Sequence, residues 1–546
     1  MPDTEAERIY RGGTIITMDD DQPMVEAIAV AGGRIVATGT DDEVARTRGN
    51  GTEDIDLAGR ALLPAFIDPH GHYISSLTVA GQVNLYAPPA GPGSDPDAIV
   101  GELVKHRDEK AIPPGELIQA YGYDDSAMPG GELLNRDHLD AALPDNPVVV
   151  GHVSMHGAVL NSKALERYGY SAETETPAGG VIVRKEGTNE PYGLIMETAY
   201  LPVFSALPKP TLDQEAEFST AGQQLYANEG IVLAHEGATH AAELEVMKRA
   251  SAAGANIIDV VAYPFMTDLD AIVAAHPTAG WGTYDRGFKI GGVKITADGS
   301  PQGRTAYFSS PYLTGGPSGE QDWRGEPMMP QDTLNSLVKR VYDMDVPLII
   351  HTNGDATIDM FLEAYEFARA GDFSRPWNVT TIHTQFMRKD HIAKFVEYKI
   401  RPSFYTLHTF YFAAAHTANR GAEQAAYISP MRDAIDAGLH PTNHSDFYVS
   451  PLDQMFMAWS AVNRVSREGE VLGPDQRITP LEALKAQTIW AAEQYGEEAT
   501  RGSLEVGKVA DLVILDADPL TVDPMSIKDI KVLETIKEGS TICTAG

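Results

Sequence analysis

The stretch Leu63-Pro64-Ala65-Phe66-Ile67-Asp68-Pro69-His70-Gly71-His72-Tyr73 decides how the rest of the chain reads. Its apolar first half suits a buried strand, and in an extended segment residues i and i+2 point the same way. His70 and His72 therefore aim two imidazoles at one point, which suits a first-row divalent cation. Taken alone, the pair equally suits two histidines at a sheet rim, bonded to backbone.

Working outward, short apolar and often β-branched segments recur near 62–68, 231–235, 257–263, 290–296, 346–351, 379–383, 399–404 and 440–445. Helical stretches separate them, so the alternation predicts an α/β fold of the (β/α)8 TIM-like kind. His351, His383 and Asp446 each stand at or just past the C-terminal end of a predicted strand. Barrel enzymes place their catalytic groups there. Any one of these is ordinarily a satisfied core or rim residue, but together with His70 and His72 they favour a metal site. Lys294 sits mid-strand in Gly291-Gly292-Val293-Lys294-Ile295-Thr296-Ala297-Asp298. A buried lysine is costly unless paired or modified. An ion pair with Asp298 or another acid, a Schiff base, and carboxylation by CO2 into a metal-bridging ligand all remain open at this point.

Both chain ends read as small β pieces. Ile15-Ile16-Thr17-Met18, Ala27-Ile28-Ala29-Val30 and Arg34-Ile35-Val36-Ala37 lie near the start, with Gly32-Gly33 as a hairpin signal, and Ala510–Leu515 near the end. The expectation is a composite β-sandwich from 1–60 plus 500–546, clasping a catalytic barrel over 61–499. Residues 75–225 are too many for one crossover and read as an insertion after strand 1 that caps the active site.

The chain has 546 residues, too many for one small module at roughly 100–200 per domain. Lys plus Arg number 42 and Asp plus Glu 77, a formal charge of −35. That field repels phosphate backbones and anionic membranes, so neither nucleic acid nor membrane is an expected partner. The one cysteine, Cys543, excludes an intrachain disulfide and a thiolate metal site. The start lacks an apolar signal region, and no apolar run nears the 18 or so residues that span a bilayer. These features point to a cytoplasmic setting.

The sequence resembles the amidohydrolase superfamily of metal-dependent hydrolases. Leu63–His72 follows its P-G-x-x-D-x-H-x-H signature, with Ala65 where glycine is usual, and Gly502–Val513 follows its closing segment. Within it, His156-Gly157-Ala158-Val159-Leu160-Asn161, Gly292-Val293-Lys294 with Asp298-Gly299-Ser300, His351 with Gly354-Asp355, and Ser445-Asp446 are similar to the YtcJ-like branch, which includes N-substituted formamide deformylases. The resemblance implies two divalent metals per chain: His70, His72 and Asp446 on one, His351 and His383 on the other, and carboxylated Lys294 between them. Zinc is the family's common metal, and the thiolate-free set also accepts Mn, Fe or Co. Homodimers are common in the family, so a homodimer is an expected assembly.

Such a site implies hydrolysis of a non-peptide C–N bond in a small amide, N-formyl or N-acyl compound, by metal-activated hydroxide. Asp446 would carry the proton from water to the leaving nitrogen, or serve as ligand only. A hydrolytic deaminase, an ester or lactone hydrolase and an inactive scaffold are the alternatives. His351-Thr352-Asn353-Gly354 lacks the glutamate of the deaminases' His-x-x-Glu. His156, Tyr123, Asp124 and Arg304 are candidate substrate contacts, and His444 a candidate outer partner of a ligand. The aromatic run from Phe404 to Phe412 reads as pocket wall or core, and His235-Glu236 stands where the family more often has Asp.

Overall fold

The computed structural model describes residues 5–153, 157–177, 180–208, 211, 214–317 and 320–545. The chain divides into two compact units. The first runs up to Tyr73, resumes over Gln223–Tyr448 and continues from Leu452; the second is Ile74–Gly222 with Val449–Pro451.

In the first unit the two chain ends build one eight-stranded sheet. Strands Ala6–Ile16, Met24–Ala31, Arg34–Gly39, Arg48–Asp56 and Ala61–Pro64 come from the start, and Leu512–Leu515, Val532–Lys537 and Ser540–Thr544 from the end. The ends meet where Leu512–Leu515 pairs antiparallel with Ala61–Pro64. Strand periodicity explains the packing. Ile28 and Val30 bury on one face with Ile15, Leu62, Leu512 and Ile514, while Ala27 and Ala29 bury on the other with Ile9 and Val44. The turn between Met24–Ala31 and Arg34–Gly39 needs positive φ at both central residues, and Gly32 and Gly33 supply 56° and 73°.

The remaining strands of this unit are parallel. Phe66–Ile67, Ile231–Thr239, Asp259–Pro264 and Phe288–Ile290 form a four-stranded sheet in that order. Val293–Thr296, Leu348–Thr352, Val379–His383, Arg401–Phe404 and Thr442–Asn443 form a five-stranded sheet, also in chain order. Their apolar, β-branched runs are buried, as parallel strands covered on both faces require. Helices alternate with them; in Gln331–Asp343, Leu334, Val338 and Val341 bury at helical spacing.

Two expected strands are split. The stretch 62–68 leaves one sheet at Pro64 and enters another at Phe66, since Ala65 N donates to Asp511 O and Phe66 N to Gly230 O. The stretch 290–296 is interrupted at Gly291-Gly292.

The second unit covers the stretch read as an insertion. It carries its own six-stranded sheet, including Ile118–Tyr123, Val148–His152 and Gly157–Leu160. Its core is separate, built around Leu103, Ile118, Leu139, Val148 and Val150. Among the described residues no helix is long and apolar enough to cross a membrane.

Candidate metal centre

The ends of the parallel strands bring the expected residues together. His70 and His72 follow Phe66–Ile67, His351 lies on Leu348–Thr352, His383 ends Val379–His383, and Asp446 follows Thr442–Asn443. His70 Nε2 and His72 Nε2 lie 3.5 and 3.4 Å from Asp446 Oδ1, and His383 Nε2 lies 3.9 Å from Asp446 Oδ2. Lys294 Nζ is 3.3 Å from His70 Nε2, and the His351 ring is centred 4.6 Å from that of His383. One ligand atom from each of His70, His383 and Asp446 lies within 4.8 Å of the others.

The backbone is bent to achieve this. His383, Thr384 and Asp446 have φ of 68°, 46° and 53°, the left-handed region that L-residues, and β-branched threonine above all, rarely enter. Such positions cost about 1–3 kcal/mol each and persist where the surroundings enforce them. Here Thr384 N donates to Thr352 O (2.7 Å), Asp446 N to His70 O (3.2 Å) and His72 N to Phe447 O (2.7 Å). Gly237 is required by close approach: a Cβ there would stand 2.3 Å from His70 Cε1.

Two of the imidazoles have Nδ1 hydrogen-bonded from behind: His70 Nδ1 lies 3.1 Å from His235 Nδ1, and His383 Nδ1 3.0 Å from His444 Nε2. His351 Nδ1 stands 3.2 Å from Asp298 Oδ1 without a hydrogen bond of normal geometry, and its Nε2 lies 3.2 Å from Asn353 Nδ2. His444 Nδ1 in turn lies 2.8 Å from Ser403 Oγ. Occupying Nδ1 fixes the ring and leaves Nε2 for a metal. The Asp298 carboxylate also accepts from Asn353 N (2.9 Å), Gly354 N (2.8 Å) and Thr357 Oγ1 (2.8 Å). The ion pair between Lys294 and Asp298 is therefore not formed: Asp298 serves His351 and the start of helix Asp355–Arg369, and Lys294 faces His70.

Burial holds His70 and His383 well below the ordinary imidazole value, so both keep free lone pairs. Burial also opposes charge on His72, but Asp446 and Glu236 outweigh it and raise it to about 10. At Asp446 burial opposes ionisation, yet His383 and His72 hold the carboxyl well below its usual range. Burial lowers Lys294 to about 8. The cluster thus combines neutral imidazoles at His70 and His383, a charged one at His72 and an ionised carboxylate.

That donor set fits a divalent cation. Asp446 Oδ1 is buried without a hydrogen bond of normal geometry, although His70 and His72 nitrogens lie close by. The nitrogen lone pairs of neutral His70 and His383 repel the carboxylate oxygens they face, and a shared cation satisfies both sides. A model of the amidohydrolase family matches residues 53–543.

The chain belongs to the amidohydrolase family. This amidohydrolase is similar to the Bacillus subtilis (strain 168) protein YtcJ, 26% identical over 98% of this chain and 99% of that one. It is also similar to the N-substituted formamide deformylase of Arthrobacter pascens, 26% identical over 96% of each chain. Among solved structures it resembles an uncharacterized metal-dependent hydrolase from Pyrococcus horikoshii OT3, with a TM-score of 0.71 at 22% identity over 95% of this chain and 99% of that one. The family and its deformylase relative identify the chain as a metal-dependent hydrolase.

The amidohydrolase's other expected contacts fall in different surroundings. His444 lies in the cluster, as the partner of His383. Tyr123 is buried in the second unit, where its hydroxyl accepts from Leu134 N at 3.1 Å. Asp124 follows it, and Arg304 is half-buried with φ of 60°. His156 lies outside the described residues. In the aromatic run, Phe410 packs on Phe456 and Trp459 as core, whereas Tyr411 and Phe412 are half-buried. Neither His235 nor His416 reads from sequence as a site residue, Asp298 reads only as a possible partner of Lys294, and His408 only as part of the aromatic run. His235-Glu236 at a strand end was a signal for the first; the others reach their partners only through the tertiary fold.

Proposed function

We propose that the protein hydrolyses a non-peptide carbon–nitrogen bond of a small amide, N-formyl or N-acyl compound. The observation that carries this is the convergence of His70, His72 and His383 on the Asp446 carboxylate, beside Lys294. We infer that His70, His72 and Asp446 would hold one ion, His351 and His383 a second, and carboxylated Lys294 both, with zinc the expected metal. Such ions polarise a carbonyl oxygen and lower the pKa of water to about 7.

The chain's own groups do the rest. Asp446, kept ionised, takes a proton from the attacking water and gives it to the nitrogen as the C–N bond breaks. The products are a carboxylic acid and an amine. The lowered value of Lys294 raises its share of neutral amine, the form that adds CO2 with loss of a proton. Closure of the two parallel sheets into a (β/α)8 barrel, a sandwich made from the terminal sheet, a homodimer and a cytoplasmic setting belong to the same proposal.

The test is a panel of N-formyl and N-acyl amines with metal-loaded protein. Release of amine and acid in equal amounts, abolished by Asp446→Asn, is expected. Hydrolysis of esters and lactones with no amine released from any panel member would replace the reading.

A further inference from the structure

Beyond the cluster, two buried histidines face each other. His408 is 4% exposed and His416 0%. His408 Nδ1 lies 3.0 Å from His416 Nε2, with the rings at 13°. His416 Nδ1 is buried with no hydrogen-bond partner, whereas His408 Nε2 bonds to none of the described residues but is not sealed from solvent.

That pattern selects one pair of tautomers. A neutral imidazole carries one N–H, and only one ring can donate in the shared bond. If His408 donated, His416 would carry its proton on Nδ1, buried without an acceptor. A buried N–H without an acceptor costs more than a lone pair left unshared. His416 therefore donates from Nε2, His408 Nδ1 accepts, and His408 carries its own proton on Nε2, where solvent or a ligand can accept it. Burial keeps both rings neutral, His416 at about 3 and His408 well below its ordinary value.

The pair sits beside the metal centre. The Tyr405 ring is centred 4.6 Å from His408, 5.4 Å from His444 and 6.0 Å from His383. Asp446, His444 and His351 all act electrostatically on His408.

We propose that His408 presents its Nε2–H as an uncharged donor to a carbonyl oxygen of the substrate, held in that tautomer by His416. This rests on the C–N hydrolase reading and narrows it. A neutral donor satisfies an amide or formyl oxygen but brings no charge to offset a substrate carboxylate. The substrate is then an uncharged acyl compound at that end, His408 touches it, and His416 is a positioning residue.

The test has two arms. Long-range 1H–15N spectra of the metal-loaded protein, labelled on the histidine rings, read the tautomer of His408, assigned with His408→Gln. The proton is expected on Nε2 in the wild type, retained in His416→Gln, whose amide donates from the same position, and redistributed in His416→Leu. A proton on Nδ1 in the wild type would overturn the proposal. In the second arm, kcat/KM is compared for formanilide and oxanilate, which carries a carboxylate on its acyl group; formanilide is expected to be the better substrate, and the reverse order would overturn the uncharged acyl end. His408→Leu is expected to lose about tenfold or more on formanilide with metal content unchanged, and His408→Gln to recover to within about threefold. Wild-type kcat/KM in His408→Leu, or a loss that tracks lost metal, would overturn it. If the wild type hydrolyses neither compound and no member of the N-formyl and N-acyl panel, the C–N reading has failed. Calorimetric binding of formanilide then judges His408 alone: about tenfold weaker binding in His408→Leu supports it, and equal binding overturns it.

Discussion

The parallel strands of the first unit have a charged cluster at each end, and the two are built differently. At the N-terminal end Asp259 opens its strand between Arg501 Nη2 at 2.7 Å and Lys537 Nζ at 3.2 Å. Arg501 also reaches Glu497 (3.0 Å) and Asp511 (3.7 Å), and Lys289 pairs with Glu497. Burial opposes the charge of Arg501, but Asp511 and Asp259 outweigh it and raise its value. At the C-terminal end burial wins at Lys294, which falls to about 8, and the His70 and His383 nitrogens face the Asp446 carboxylate. One cluster is complete in charge, Asp259, Glu497 and Asp511 against Arg501, Lys289 and Lys537; the other is incomplete, with a donor set that fits a cation. The difference teaches that a buried polar cluster becomes a functional candidate when lone pairs face a carboxylate with no donor between them.

The largest expected effect breaks the incomplete end. Asp446→Asn should lower kcat by about 10²–10⁴-fold in steady-state assays, with the unfolding midpoint little changed. The complete end should respond in the opposite way. Arg501→Ala leaves Asp259 with Lys537 alone and Glu497 with Lys289 alone in the interior, and should cost about 3 kcal/mol in denaturant unfolding, while folded protein keeps its metal. Between these lies His444→Leu, which frees His383 Nδ1 and should weaken metal binding about 10–100-fold in competition with a chelator.

A smaller effect separates neutral from charged burial. His416 has a folded value of about 3 against 6.5 unperturbed. Its folded form resists the proton that the unfolded chain accepts, so stability is full above 6.5 and is lost as pH falls toward 3. The loss is about 1.4 kcal/mol per pH unit for this group. His416→Gln should therefore flatten the pH dependence of unfolding between about pH 6 and 4, measured by urea titrations.

Much of the site was legible because its ligands lie on strand ends, where local pattern and function coincide. His70 and His72 share a direction through i, i+2 spacing, His351 and His383 each end an apolar run, and Asp446 follows a short polar strand. The terminal sheet was legible through alternation such as Ala27-Ile28-Ala29-Val30. What could not be read was pairing between distant elements. Asp298 serves His351 and not Lys294, and His416 meets His408 across a bend between two short helices. The split at Ala65 was hidden because one apolar run feeds two sheets, and hydropathy does not say which.

The central claim is that the C-terminal cluster is finished by a cation. The most direct measurement is the divalent metal content per chain of freshly purified protein by elemental mass spectrometry, beside His70→Ala and Lys294→Ala. The account predicts about two ions per chain, fewer in both variants. No metal under chelator-free conditions, or the same content in all three proteins, would contradict it.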